Sequence, residues 1–469
     1  MRHFGCTFFR SGFKVAKANG NKSVRVSSPQ LGLDAGPEQL YSALCENFET
    51  AFLLESSGSA QKNARYSFVG FAPQKIIALR NGVVDIDGEQ IESKSPINEL
   101  RNMLPKTSNV YPGFVGGAVG YFSFDYVRCV EKFTASPKDE TGFPDFEFGI
   151  FDDVVAFDHA SGKATYIYTK EDRLAQIKKA LKDSSAQLPG LSIKNVAVSD
   201  TESEFCSKVE KAKEHIMAGD IFQAVLSKRY TIGFEGALHN FYGRLKQDNP
   251  SPYMYSLKFG PRQIIGSSPE NLFKAEGNEI SSYATLAGTR ARGKTPQEDA
   301  ALEAELLADK KERAEHLMLV DLTRNDVGKV AQPGSVKVPE FMSVHKYSHV
   351  QHIASLVTGK LRADRDAFDV FNAIFPAGTV SGAPKIRAIE IIDSLEKTRR
   401  GPYAGAVGYF SSNGNADFAI GIRSLFANGK TAFIQTGAGI VYDSVPAKEF
   451  LETEDKARAL LDNFKTEGA

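Results

Sequence analysis

The residues best suited to chemistry lie in the second half of this 469-residue chain. In "TPQEDAALEAELLADKKERAEHLMLVDLTRND", Thr295, Pro296 and Glu298 supply a cap, a first-turn proline and a capping-box acid, which predicts one long helix. On that helix Glu315 shares a face with Ala308, Leu319 and Leu322, so its carboxylate points toward an apolar surface. A lone buried carboxylate is costly unless it is paired, protonated or bound to a metal. An ion pair is the commoner outcome, and metal ligation is the alternative. Near the C-terminus, "DSVPAKEFLETEDKARALLDNF" reads as a second helix, with Ser444 as its cap and Phe450, Ala457, Leu461 and Phe464 on its core side. Glu449, Glu452 and Lys456 line another face, where spacing alone gives only a solvated i,i+4 pair.

A histidine cluster stands in "SVHKYSHVQHIASLVTGKL". His345, His349 and His352 could suggest a zinc site if the segment were helical. Its valines, isoleucine and threonine favour a strand, which sends His349 and His352 to opposite faces. A single histidine facing a pocket as acid or base then remains open. "FPAGTVSGAPKIRAIEII" is a small-residue loop entering a helix near Ser381-Gly382-Ala383-Pro384, where free N–H groups can hold an anion. Arg423 in "AIGIRS" and a turn at "TGAGIV" (436–441) would add a guanidinium fork and a close backbone approach for carboxylates. Neither GxxxxGK[ST] nor GxGxxG occurs, so the sequence gives no support for nucleotide binding.

The elements that must position these groups follow from pattern and composition. Hydrophobic residues make up 42% and charged residues 24% of the chain, the balance of an ordinary globular protein. Lysine plus arginine and aspartate plus glutamate number 57 each, so no global field favours nucleic acid or a membrane surface. The four cysteines are widely separated without CxxC spacing, which fits a reducing, cytoplasmic setting. No apolar run approaches the ~20 residues that span a bilayer. Residues 1–30 lack acids, as a transit peptide would, yet "FKVAKANGNKSVRV" (13–26) alternates around Asn19-Gly20 as a β-hairpin does. From 40 to 170, runs such as "RYSFVGFAP" and "KIIALRNGVVDIDG" predict antiparallel β-structure. The polar stretch 182–204 reads as a linker. After it Thr201 and Glu204 form a capping box on a helix that gives way to a strand, and helices and strands then mix to the end. The expected divisions are an N-terminal extension or hairpin (1–30), an N-terminal region (31–185) and a catalytic domain (205–465).

The ordered stretches "DIFQAVLSKRY", "SSPENL", "LAGTRARG", "AEHLMLVDLTRND", "YSHVQHIAS", "FPAGTVSGAPKIRA", "GPYAGAVGYF" and "ETEDKA" closely resemble the chorismate-utilising enzymes. "AFLLESS", "RYSFVGFAP", "GGAVGYFSFDYVR" and "NPSPYMYSL" extend the resemblance to the large subunits of anthranilate synthases and their aminodeoxychorismate relatives. The implied fold is α+β, with two interleaved subdomains that each carry an antiparallel sheet flanked by helices, and the active site between them. The resemblance makes Glu315 and Glu452 ligands of a Mg²⁺ that holds the ring carboxylate of chorismate, with Glu449 one turn earlier as a supporting acid. Arg423, Tyr403, Gly437, Gly439 and Lys456, together with Gly288 and Thr289, match substrate-holding positions, and Thr379 lies in the loop below. Glu270 matches the general acid that helps the 4-hydroxyl leave, and His352 the histidine placed near C2.

Members of this family differ mainly in what attacks the ring. Isochorismate and salicylate synthases carry a water-activating lysine where this chain has Gln223, which cannot act as a base. Aminodeoxychorismate synthases typically carry a lysine nucleophile where this chain has Ala287. Ammonia is then the expected nucleophile and anthranilate the expected product. No cysteine sits in a GxCxG turn, so a separate glutamine amidotransferase subunit is the expected partner. "LLESS" and "NPSPYM" match the family's tryptophan feedback site, which implicates Glu55, Ser56, Pro252, Tyr253 and Met254. The alternatives are an enzyme that stops at aminodeoxyisochorismate, an aminodeoxychorismate synthase, or a silent chorismate-site regulatory subunit.

Overall fold

A computed structural model describes residues 25–27, 35–56, 65–107, 113–133, 137–184, 189–283, 287–346 and 350–464. Two antiparallel sheets organise the chain, each with 12 strands among the described residues. The first runs Arg25–Ser27, Lys163–Tyr168, Asp153–Asp158, Tyr66–Phe71, Thr50–Glu55, Tyr253–Phe259, Arg262–Ser268, Ser424–Asn428, Thr431–Ile440, Gln223–Glu235 and Ser192–Val198, with Gly382–Ala383 added beside Gln223 and Ala224. The second runs Ala287–Ala291, Val350–Lys360, Glu279–Ser282, Asn271–Glu276, Ala416–Ile420, Ala406–Ser411, Gly117–Phe122, Phe146–Phe151, Lys75–Arg80, Val83–Ile86 and Glu89–Glu92, with Lys337–Lys346 paired to Val350–Lys360. Both sheets draw strands from both halves of the chain. The expected α+β architecture of interleaved antiparallel sheets is therefore present, and neither 31–185 nor 205–465 owns a sheet alone.

The central strands of the first sheet bury apolar side chains on both faces. Period-two alternation sends Phe52, Tyr255, Leu257, Ile264, Phe426 and Phe433 into the largest core, where they join Val119, Phe148 and Phe418 of the second sheet. Their sequence neighbours Leu53, Met254, Ile265, Leu425 and Ile434 point the other way, into a second core under the helices Pro37–Asn47 and His239–Asp248. A third core lies between the helices Glu202–Met217 and Lys385–Leu395 and the strands Gln223–Glu235 and Thr431–Ile440.

Two local signals held. Thr201 and Glu204 form the capping box reciprocally, and the histidine-bearing segment is the hairpin of Lys337–Lys346 with Val350–Lys360. Two expectations need correction. The stretch 182–204 is no linker, because Ser192–Val198 pairs with Gln223–Glu235. It is a mostly exposed edge strand, and its polar composition is what an edge requires. The long helix is two, Pro296–Ala308 and Lys310–Gly328. Asp309 breaks it, its carboxylate accepting the N–H groups of Lys311 (2.9 Å) and Glu312 (3.2 Å) as the cap of the second helix. Of the hairpin expected over 13–26 only the end is described, and Arg25–Ser27 pairs with Lys163–Tyr168; the remainder lies outside the described residues. Among the described residues no helix is long and apolar enough to cross a membrane.

Candidate active site

The strands Gln223–Glu235 and Thr431–Ile440 form the floor on which the acidic residues meet. "TGAGIV", read as a turn, is mostly the end of the second of these strands, with Gly437 opposite Ser227 and Gly439 opposite Val225. Its glycines serve close approach. A Cβ on Gly439 would lie 2.6 Å from Gln223 Nε2 and 3.7 Å from Glu315 Oε1, and one on Gly437 would lie 2.8 Å from the Tyr403 hydroxyl. Into the space left by Gly439, Gln223 Nε2 donates to Glu315 Oε1 at 2.7 Å. Gln223 is 2% exposed, and its own carbonyl oxygen has no hydrogen-bond partner among the described residues.

Burial pushes the Glu315 carboxyl above the ordinary range; repulsion from Glu312 and, more weakly, Glu452 adds to the shift, and the Gln223 bond opposes it. Glu449 is also pushed up, by burial and by Glu452, against a hydrogen bond to Ser444. Ser444 does not cap the helix Pro446–Leu461 as expected. Val445 is the cap residue, and the Ser444 hydroxyl accepts from the Val441 N–H at 3.1 Å and bonds Glu449. Lys456 Nζ donates to Glu452 at 2.5 Å and to the Gly437 carbonyl at 2.9 Å, so this helix is tied to the glycine strand. Among the described residues no three His, Cys, Asp or Glu side chains form a ready-made metal cluster. Glu315 and Glu449, both half-buried, and the exposed Glu452 repel one another, an environment a hard cation relieves, with further oxygen ligands drawn from substrate and water.

Across the site, Glu270 lies two residues after the end of Arg262–Ser268 and is 5% exposed. Burial raises its carboxyl to about 7, opposed by the Thr379 hydroxyl, Arg423 and Lys456. Glu270 Oε1 and Thr379 Oγ1 are both buried without a well-formed hydrogen bond among the described residues. Arg423 adopts a left-handed backbone, φ +52°, and its guanidinium is pulled down by burial while Tyr403, Glu452 and Glu270 support its charge. Burial pushes the Tyr403 phenol up to about 12. His352 Nδ1 lies 3.1 Å from the Gly288 carbonyl, which can only accept, so Nδ1 carries the proton and Nε2 the lone pair. Burial lowers His352 to about 4, with Arg423, Lys456 and His345 adding to the effect and the Gly288 carbonyl opposing it. Thr289 sits opposite His352 in the strand pairing, as Ala287 sits opposite Ile353.

These interactions place Glu270, Thr379, His352, Arg423, Lys456 and Tyr403 in one electrostatic neighbourhood beside Glu315, Glu449 and Glu452. His345 lies directly across from His352 but bonds Glu340 at 2.5 Å, and His349 falls outside the described residues. The implicated effector residues form a separate group on neighbouring strands, with Glu55 opposite Met254. Glu55 accepts from Tyr242 (2.6 Å) and Lys246 (2.9 Å), and Tyr253 donates to Asp417 (3.0 Å) while accepting from Asn271 (2.7 Å). Sequence reasoning missed Gln223 as the holder of Glu315, and also Glu312, Tyr242 and Lys246. No local pattern signals a bond that joins residues 92 apart, as Gln223 and Glu315 are.

Residues 49–462 match the model of a family described as chorismate binding enzyme. The chain is 49% identical over 436 residues to an anthranilate synthase component 1 of Methanothermobacter marburgensis, covering 92% of this chain and 93% of that one. It is 39% identical over 442 residues to an aminodeoxychorismate synthase component 1 of Bacillus subtilis, covering 90% and 93%. The crystal structure of anthranilate synthase component I from Streptococcus pneumoniae superposes with a TM-score of 0.78 at 36% identity, covering 86% of this chain and 95% of that chain.

Proposed function

The chain belongs to the chorismate binding enzymes, and from that premise we propose that it is the large subunit of an anthranilate synthase. It would convert chorismate and ammonia to anthranilate, pyruvate and water. Glu315 and Glu452, supported by Glu449, would hold a Mg²⁺, and the bound ion would supply positive charge for the ring carboxylate of chorismate. Gln223 fixes one oxygen of Glu315 and so orients that carboxylate. Arg423 and Lys456 would receive the enolpyruvyl carboxylate, against the close backbone of Gly437 and Gly439 and the ring of Tyr403.

The single observation that carries the reading is the pairing of a buried acid, Glu270, with a half-buried base, His352, in one site. Glu270 holds its proton up to about pH 7, and His352 stays neutral down to about pH 4. Glu270 can therefore protonate the departing 4-hydroxyl as ammonia bonds to C2 and the ring double bonds shift. His352 Nε2 can then take the C2 proton as the enolpyruvyl C–O bond breaks, which leaves an aromatic ring and the enolate of pyruvate; solvent protonates the enolate at its methylene carbon, and the proton on His352 and the spare ammonium proton pass to solvent. Neither Gln223 nor Ala287 offers an amine, so the nitrogen must arrive from outside the chain. Alanine at 287 also argues against the aminodeoxychorismate reading that the Bacillus subtilis relative would otherwise suggest.

A glutamine amidotransferase subunit would deliver ammonia, and tryptophan would inhibit at the group of Glu55, Ser56, Pro252, Tyr253 and Met254. The test is a product assay with chorismate and Mg²⁺, using ammonium salt or glutamine, each with and without the candidate partner. Anthranilate fluorescence with ammonium salt alone, and with glutamine only when the partner is present, is expected. Failure to form anthranilate from ammonia would sink the reading.

A further inference from the structure

A cavity of about 750 Å³ opens on the inner face of the strands Gln223–Glu235 and Thr431–Ile440, away from the acids of the catalytic site. That volume falls in the range of small-molecule pockets. Its wall is unusually rich in charge for such a site, with Glu140, Asp200, Glu396, Lys208, Lys228, Lys397 and Arg229 all contributing. All but one of these groups have an ion-pair partner. Lys208 pairs with Asp200 (2.5 Å), Lys397 with Glu204 (3.1 Å), Glu140 with Lys138 (3.2 Å), Glu396 with Arg400 (2.7 Å), and Lys228 with Glu454.

Arg229 is the exception among the described residues. It is 8% exposed, and its guanidinium donates from Nε to Gln435 Oε1 at 3.1 Å and from Nη2 to the Arg399 carbonyl. Both acceptors are neutral. A guanidinium has five N–H donors, so the Nη1 edge and one Nη2 hydrogen remain for something else. Glu396, Asp125, Glu140 and Asp139 support its charge from a distance, but none of them bonds the guanidinium, and a carboxylate on the open edge is the bidentate partner this group fits best. Phe433 lies under the guanidinium, 4.7 Å from ring centre to Cζ, and Phe143 packs edge-on against Phe433 at 6.0 Å. A flat apolar body attached to the carboxylate would rest on these two rings.

We propose that this cavity is a second ligand site, specific for a small aromatic carboxylate that docks its carboxylate on Arg229 and its ring against Phe433 and Phe143. The proposal stands independently of the reaction assigned to the catalytic site. The site is nevertheless connected to it. Gln435 Nε2 donates to Ser227 Oγ (2.8 Å), Ser227 Oγ donates to Glu396 (2.8 Å), and Glu396 accepts from Arg400, whose guanidinium lies 5.8 Å from the Tyr403 ring centre.

The probe is benzoate, with the neutral isostere benzamide as control, titrated into the full chain by calorimetry. Binding to Arg229 predicts that benzoate binds about tenfold or more tightly than benzamide, and that Arg229→Gln weakens benzoate by a similar factor. Arg423→Gln should leave benzoate binding in place, which separates this cavity from the catalytic carboxylate sites. Thr231→Trp places bulk at the exposed rim of the cavity without touching the guanidinium, and should weaken benzoate equally. If Arg229→Gln fails to fold, Thr231→Trp decides by the same criterion. Benzoate that binds within threefold of the parent in the deciding variant, that is lost with Arg423→Gln, that binds no better than benzamide, or that shows no saturable binding at millimolar concentration overturns the proposal.

Discussion

Replacing Glu270 by glutamine removes the ionisable proton of a carboxyl that is 5% exposed and titrates near 7 rather than near 4.5 when folded. The sign follows from linkage. Below pH 4.5 both folded and unfolded chains hold the proton, and ionisation costs nothing. Between 4.5 and 7 the unfolded chain ionises while the folded one resists, so the parent loses stability as pH rises. Above 7 the loss is complete, and the gap corresponds to about 3 kcal/mol at most, at 1.36 kcal/mol per pH unit. Glutamine occupies nearly the same volume and never ionises. Glu270→Gln is therefore expected to match the parent at pH 4.5 and to exceed it by up to about 3 kcal/mol at pH 8. The same change deletes the acid for the departing hydroxyl and should lower kcat by about 10²–10⁴. Urea midpoints at the two pH values, with anthranilate formation from ammonia, give both readouts. A variant no more stable than the parent at pH 8, or one that keeps full kcat, would refute the reasoning about Glu270.

With the concentration of free NH₃ held constant, kcat/KM for chorismate is expected to be flat from pH 5 to about 7 and to fall above it as Glu270 ionises. A fall toward acid pH with a midpoint near 6 would contradict the assignment of a neutral His352. Gly439→Ala puts a methyl 2.6 Å from Gln223 Nε2 and should displace that amide from Glu315. The concentration of Mg²⁺ needed for half activity should then rise about 10–100-fold, as it does when a group orienting a metal ligand is lost; an unchanged Mg²⁺ titration counts against it. Ala287→Lys should abolish ammonia-dependent anthranilate formation by filling the approach to C2, and unchanged activity would show that position 287 does not face the nucleophile. Tryptophan should bind one site per chain by calorimetry and inhibit; the absence of any heat removes the effector reading.

What could be read from sequence was local chemistry, and what could not was pairing across long stretches of chain. Thr201 and Glu204 announce their capping box in four residues, and the β-branched run after His349 announces a strand, because both signals act over a single turn or pleat. Ser192–Val198 looked like a linker because an exposed edge strand and a linker share polar residues. Asp309 was overlooked because helical periodicity continues through it, although aspartate is a good cap in its own right. The candidate site was legible mainly through ordered motifs. Its internal wiring was not, since Gln223, Glu315 and Gly439 come from two strands and a helix brought together only by the tertiary fold.

The opposite displacements of Glu270 and His352 have one cause. Burial disfavours charge of either sign, so it keeps a proton on the carboxyl and keeps one off the imidazole, which leaves acid and base each in its working form at neutral pH. Arg423 and Lys456 do not act symmetrically on this pair: they oppose the rise of Glu270 but reinforce the fall of His352. On the proposed reading, a substrate carboxylate arriving at these cations offsets both effects. Glu270 then holds its proton more firmly, and His352 becomes a stronger base than it is in the free chain. The substrate's own charge thereby shifts the acid and the base toward the proton transfers each must make, and the free protein avoids the cost of a protonated imidazole beside Arg423 and Lys456.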